Sequence, residues 1–171
     1  QLDDHILNIE NKALTNRPDT FGMIGMARDI SGMLQKHFKT PEWLENPNAK
    51  ETKDQSLPLK VENKLDKLCP RYMAVAMKNV KVGESPLWLK SLLSSIDIKP
   101  INNVVDITNY LMILTGQPLH AFDYDKVVSK DTLSNKEALI TIRTAKRGEK
   151  ITTLDNKTVD LTEKTVVICD S

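Results

Sequence analysis

The run NVVDITNYLMILTGQPLHAFD, residues 103–123, decides how the rest of the chain is read. Val104, Ile107, Tyr110, Leu111 and Leu114 recur at spacings of three and four, the mark of one apolar helical face. Asn103 is the expected N-cap and Gly116 the expected C-terminal stop. Directly after the stop, Gly116, Gln117, Pro118 and His120 form a turn that carries an imidazole into a loop, where sites held by rigid elements are usually found. The helix also holds Thr108 and Asn109, both of poor helix propensity. Their polar groups can serve a pocket or bond the local backbone. Asp106, near the N-terminus, is accounted for by the helix dipole. His120 sits between Pro118 and Ala121-Phe122, a setting that suits either a pocket edge or a structural hydrogen bond.

Upstream, Ser85 and Pro86 open a second helix, with Ser85 as cap and Pro86 at the first helical position, where its missing N–H costs nothing. Leu89, Leu92, Leu93 and Ile96 give it a buried stripe, and residues 97–100 end it. Apolar and polar residues alternate at 57–63 and 72–82, so strands are expected there. Further strands are expected within residues 5–13 and at 139–144. Another helix starts from Asp19, its candidate cap, and runs through Phe21, Ile24, Ala27, Ile30 and Leu34. Gly22, Gly25 and Gly32 each weaken it by about 1 kcal/mol relative to Ala. Either another element packs very close, or the helix depends on tertiary contacts.

Residues 38–55, with prolines, charges and little periodicity, read as a linker. Trp43 and Leu44 make a small satellite contact there. Residues 124–137 read as a loop. The C-terminal stretch alternates in short runs broken at Asp155-Asn156 and at 162–164, as in a hairpin or meander. Strands and helices mix without a regular βαβ repeat. The expected class is α+β, with mixed, mostly antiparallel strands and two or three packed helices.

The 171 residues are 40% hydrophobic and 27% charged with a formal net charge of +1, which suits a globular chain and excludes a strongly basic nucleic-acid footprint. Any RNA contact is then local or shared with other domains. Cys69 and Cys169 lack a partner motif, and His5, His37 and His120 lack a metal-ligand spacing, so no metal site is expected. No apolar run approaches the roughly 20 residues that cross a bilayer, and no membrane partner is expected. The first residues do not form a signal peptide, and reduced thiols point to a cytoplasmic setting. The missing initiator Met and the abrupt end lead to the expectation of an excised segment. Absent nucleotide-binding, zincin and α/β-hydrolase motifs remove those readings. The residues alone leave an α+β domain with a candidate polar pocket around Thr108, Asn109 and His120.

The motifs TNRPD (15–19), GMARDI (25–30), CPRY (69–72), SPLWLKSLL (85–93), NNVVDITNY (102–110), GQPLHAFD (116–123), GEKITTLD (148–155) and TVVICD (165–170) stand in a telling order. In that order they resemble the bacterial phenylalanyl-tRNA synthetase β-subunit family, over all but residues 38–55 and 124–137. The resemblance implies a truncated fragment of a larger multidomain subunit. Residues 1–37 would be the closing strand-helix piece of a discontinuous first domain, 38–56 a linker, and 57–171 the front part of a central tRNA-editing module. It implies an aminoacyl-tRNA synthetase, a cytoplasmic ligase of protein biosynthesis. The whole enzyme attaches phenylalanine to tRNA(Phe) with ATP and Mg²⁺, and pairs with an α subunit in an α2β2 heterotetramer.

The module itself is implied to hydrolyse tyrosine wrongly attached to that tRNA, with no cofactor of its own. His120 matches the catalytic editing histidine, and Thr108 and Asn109 match the polar pair of the pocket. Gln117, Pro118 and Ala121 are the neighbouring substrate-binding positions. The acidic residue that reads the tyrosine hydroxyl lies beyond the point matching Ser171, so the fragment alone is expected to be inactive. Two other readings remain: a non-catalytic architectural or subunit-docking segment, and a stand-alone editing-like binding module. TNRPD and GMARDI argue against the stand-alone reading.

Overall fold

The structure is a computed structural model that describes residues 5–45, 57–128, 137–153 and 156–170. Contacts divide the chain into two units, Gln1–Glu51 with Lys81–Ala121, and Thr52–Val80 with Phe122–Ser171. Helices build the first unit, and the second carries the strands.

In the first unit a 3₁₀ turn, Pro18–Phe21, leads into helix α1, Met23–Met33. Gly22, not Asp19, occupies the cap position. The Asp19 carboxylate is instead gripped through both oxygens by the Arg17 guanidinium at 2.9 Å. Arg17 also reaches Asp29 at 3.3 Å. The hydrogen bonds from Arg17 hold the Asp19 carboxyl below its usual range. The glycines of α1 divide by their surroundings. A Cβ on Gly22 would lie 2.4 Å from the Gly116 nitrogen, and one on Gly25 1.9 Å from the Asp19 carbonyl oxygen, whereas Gly32 has nothing within 4 Å. Close packing therefore accounts for Gly22 and Gly25 but not for Gly32.

The strand expected within residues 5–13 does not form. The Asn11 side chain captures the Ala13 amide at 2.9 Å and starts a 3₁₀ turn, Lys12–Leu14, while Ile6, Leu7 and Ile9 stay exposed. Helix α2, Glu42–Glu45, is short, and Trp43 and Leu44 remain on its surface.

Helix α3, Leu87–Ser95, begins one residue later than expected, because Pro86 itself takes the cap position with an extended backbone, ψ 153°. Ser85 is left outside, with its hydroxyl available to another partner. Leu89 and Leu93 are buried and Leu92 and Ile96 half-buried, as the stripe requires. Helix α4, Asn103–Thr115, is capped by Asn102 rather than Asn103. The Asn102 side chain accepts from the amides of Val104 and Val105 at 3.1 and 3.0 Å. Gly116 ends α4 at φ 76°, and a Cβ there would sit 2.8 Å from the Pro18 carbonyl oxygen. The left-handed backbone and the close approach both require glycine. Helix α4 packs on α3, on α1 and on the Pro18–Phe21 turn. Trp88 and Tyr110 meet edge to face at 5.5 Å across the α3–α4 contact.

The strands of the second unit are β1 (Leu59–Asn63), β2 (Ala138–Thr144), β3 (Lys150–Thr152), β4 (Thr158–Asp160) and β5 (Val166–Cys169). They form a sheet of order β1-β2-β5, with β1 parallel and β5 antiparallel to β2, and a separate antiparallel β3–β4 hairpin. Among the described residues two of the three pairings are antiparallel, and the class is the α+β one read from sequence. The C-terminal strands are not a single meander, since β5 leaves the hairpin to pair with β2. Within β2, Ala138, Ile140, Thr141 and Ile142 are buried, as a central strand demands, and Ala145 just past it is buried too.

Two further expectations change here. Helix α5, Tyr124–Val128, takes the front of the segment read as a loop, started by the Asp123 carboxylate accepting from the Asp125 amide at 3.2 Å. The Tyr124 hydroxyl anchors it by donating to the Pro58 carbonyl at 2.8 Å. Residues 129–136 of that loop, 46–56 of the linker and 154–155 lie outside the described residues. The strand expected at 72–82 is absent. Met73, Val75 and Met77 are 74%, 77% and 68% exposed, and among the described residues no backbone pairing runs along 72–80. Alternation marks the face a strand would bury but cannot supply its partner.

Arg143 on β2 grips Glu149 at 2.8 and 2.7 Å, and the Lys146 amide donates to the same carboxylate at 2.6 Å. The Arg143 bonds first, then the Lys146 amide, push the Glu149 carboxyl from 4.5 down to about 2. The unfolded chain therefore takes up this proton before the folded one does. The bracket's contribution is complete above about pH 5 and drains away as pH falls through the interval between the two values. The Tm difference between the parent chain and Glu149→Gln is expected to be constant above that pH and to close near pH 2. A difference that persisted there would take the role away from the carboxylate.

Candidate functional site

A buried polar cluster of the first unit lies at the start of α4. Asp106 is 0% exposed, and its oxygens accept from the Ser85 hydroxyl at 2.5 Å and the Ile101 amide at 2.8 Å. Ser85 is itself buried. The Asn103 side chain donates to the Lys81 carbonyl at 2.9 Å and accepts from the Gly83 amide at 3.1 Å. The Gly83 carbonyl in turn accepts from the Asn103 amide at 2.9 Å. Residues 81–85 are thereby stitched to the first turn of α4.

This cluster revises the expected apolar face. Ile107 is 48% exposed, while the carboxylate next to it is inside. A buried charge is costly unless hydrogen-bonded. Here two donors converge on it, and the helix dipole adds to them. The dipole reading of Asp106 was therefore incomplete. The signal that could have revealed it is the polar triad Asn102, Asn103 and Asp106 at one helix start.

Successive residues of a helix turn by about 100°. Measured from Asp106, Tyr110 lies about 40° round the axis one way and Asn109 about 60° the other way, with Thr108 about 160° off, on the opposite side. Tyr110 meets Trp88 of α3, so Asn109 is the candidate nearer that contact. Thr108 is half-buried, and its hydroxyl donates to the Val105 carbonyl at 2.7 Å. Asn109 is half-buried too, and its side chain makes no hydrogen bond among the described residues.

Beyond the helix, Gln117 is exposed. Its amide nitrogen donates to the Pro118 carbonyl at 3.2 Å, and its backbone N–H donates to the Thr115 hydroxyl at 3.2 Å. Pro118, His120 and Ala121 are exposed in the segment that leaves Gly116. The structure thus places Thr108 and Asn109 side by side on α4, facing different ways, and joins Gln117 to Pro118. A cavity of about 510 Å³ in this unit is lined by residues 37–42 and Glu45, and by none of the candidates. Among the described residues no three His, Cys, Asp or Glu side chains converge to hold a metal ion. No helix among them is long and apolar enough to cross a membrane.

Residues 68–171 match the B3/4 domain family. The chain belongs to the B3/4 domain family. The B3/4 match takes in α3, α4, the loop bearing His120 and strands β2 to β5. The chain is 42% identical over 170 residues to the phenylalanine-tRNA ligase beta subunit of Carboxydothermus hydrogenoformans, covering 99% of this chain and 19% of that protein. It is 41% identical over 164 residues to the beta subunit of Desulfotalea psychrophila, covering 95% and 18%. With that of Clostridium acetobutylicum it shares 40% over 171 residues, covering 99% and 20%. These relatives carry the family likeness read from the motifs. This B3/4 chain spans about a fifth of their length.

Proposed function

We propose that this chain is part of a phenylalanine-tRNA ligase beta subunit, and that its B3/4 region forms one wall of a site that hydrolyses tyrosine misattached to tRNA(Phe). The observation that carries the reading is 42% identity to such a subunit sustained over 99% of the chain. In this reading residues 1–37 close a discontinuous first domain, 38–56 link, and 57–171 are the front of the editing module. The whole enzyme is a cytoplasmic α2β2 ligase that uses ATP and Mg²⁺. Both of these belong to other parts of it.

Tyrosine exceeds phenylalanine by one hydroxyl, which a hydrophobic synthetic pocket rejects weakly. A second pocket that hydrogen-bonds the hydroxyl reverses the selection, because phenylalanine leaves its buried polar group unpaired at about 1–3 kcal/mol. His120 places the ester or the attacking water. Asn109 offers its uncommitted amide. The oxygen of Thr108 keeps its accepting capacity while its proton is held by Val105. Gln117, Pro118 and Ala121 shape the approach. One observation favours the architectural alternative, namely that the Thr108 bond to Val105 is complete within the helix and needs no ligand.

The test is His120→Ala in the full-length subunit assembled with its α partner. Release of tyrosine from Tyr-tRNA(Phe) is expected to slow about 100-fold, the lower range for a positioned acid-base group. Phenylalanine activation is expected to stay within twofold. Unchanged deacylation would return α4 and its loop to an architectural role.

A further inference from the structure

We propose that Asp106 is a positioning residue for this hydrolysis, setting the rotation of α4 about its own axis and so the direction in which Asn109 and Thr108 point. The inference rests on the function proposed above. It is carried by a fully buried carboxylate whose two oxygens are tied to two separate stretches of the chain, one through the Ser85 hydroxyl and the other through the Ile101 backbone amide.

The other contacts at this end of α4 constrain it differently. The Asn102 cap bonds the amides of Val104 and Val105, which lie along the axis, and fixes where the helix starts. The Trp88–Tyr110 contact is an edge-to-face ring contact between α3 and α4. Asp106 projects sideways into directed hydrogen bonds, and Asn103 joins the same strip at Lys81 and Gly83. A rotation of about 10° moves an atom at the outer radius of a helix, about 6 Å from the axis, by about 1 Å. A displacement of that size at a reacting centre costs on the order of 100-fold in rate. Asn109, about 60° from Asp106 round the axis, inherits any such rotation directly.

The measurement uses the full-length subunit with its α partner and Tyr-tRNA(Phe) as the probe. Asp106→Asn keeps the shape but turns one acceptor into a donor facing either the Ser85 hydroxyl or the Ile101 amide. It is expected to lower kcat for tyrosine release between about 10- and 100-fold with KM within twofold. Ser85→Ala removes a single donor and is expected to lower kcat in the same direction by a few-fold. Ile142→Ala, in the other unit, serves as a destabilised control and is expected to leave kcat within twofold at a temperature where all variants are folded.

If Asp106→Asn and Ser85→Ala both hydrolyse at the parent rate, the carboxylate serves stability alone and the inference is overturned. A kcat loss in Ile142→Ala equal to that of Asp106→Asn also overturns it, since general loosening would then suffice. If Asp106→Asn does not accumulate, Ser85→Ala decides by itself. A parent enzyme that releases no tyrosine fails the proposed function, and this inference with it. That outcome is distinguishable from an active parent with unaffected variants.

Discussion

Gly25→Ala is expected to destabilise the chain by more than about 4 kcal/mol, a size that single substitutions rarely reach, while Gly32→Ala in the same helix is expected to stabilise it by about 0.5–1 kcal/mol. The two glycines have the same sequence appearance and opposite surroundings. A Cβ on Gly25 would fall 1.9 Å from the Asp19 carbonyl oxygen and 2.4 Å from its carbon, inside any permitted contact. The obstacle is backbone, and it cannot retreat. The Arg17 carbonyl accepts from both the Thr20 hydroxyl at 2.7 Å and the Thr20 amide at 3.1 Å. The Asp19 carbonyl accepts from Gly22 at 3.2 Å, and the Asp19 carboxylate is held by Arg17 at 2.9 Å. Relief would have to come from moving α1, which also carries Gly22 against the end of α4. Nothing lies within 4 Å of a Cβ on Gly32, so alanine there only removes conformational freedom from the unfolded chain. Denaturant midpoints of the two variants and the parent check both signs. Equal and small shifts would mean that the Pro18–Phe21 turn does not pack on α1 in solution.

The glycine pair also shows what the sequence could and could not convey. Helices α3 and α4 and strands β1 and β2 were legible because each carries its own signal: a period, a stop at Gly116, or alternation beside Pro58. The α4 cap was misplaced by one residue because Asn102 and Asn103 are equally good caps by type. Only the direction of their side chains separates them, toward the helix amides for Asn102 and toward Lys81 and Gly83 for Asn103. The segment 72–82 has the composition of a strand, but strand pairing is non-local. Asp106 is under-read for the same reason, since its Ser85 donor comes from the start of another helix, 21 residues away. At the candidate site the residues alone left Thr108, Asn109 and His120 open between pocket and scaffold. Their roles came from the order of motifs, because helix period and loop position do not specify a ligand.

In the second unit, Ile142→Ala is expected to cost about 2–5 kcal/mol, as for other buried Ile or Leu truncations, against less than about 1 kcal/mol for Val159→Ala on the hairpin. Ile142 is 1% exposed and sits where the two kinds of pairing meet. It stands opposite Asn63 of parallel β1 and Ile168 of antiparallel β5, and its carbonyl accepts from the Lys64 amide at 2.9 Å. Neighbours on both sides are thus fixed by ladder bonds and cannot close readily over a lost side chain. The cavity term then adds to the lost transfer energy instead of relaxing away. Val159 faces Ile151 across the hairpin, and both are nearly half-exposed at 46% and 48%, so truncation there opens no cavity. The β3–β4 ladder is also short, and its Lys150–Asp160 ion pair at 2.9 Å is exposed and contributes little. Denaturant unfolding of both variants with the slope unchanged provides the comparison. Similar costs at the two positions would show that β2 is not the centre of this sheet's core.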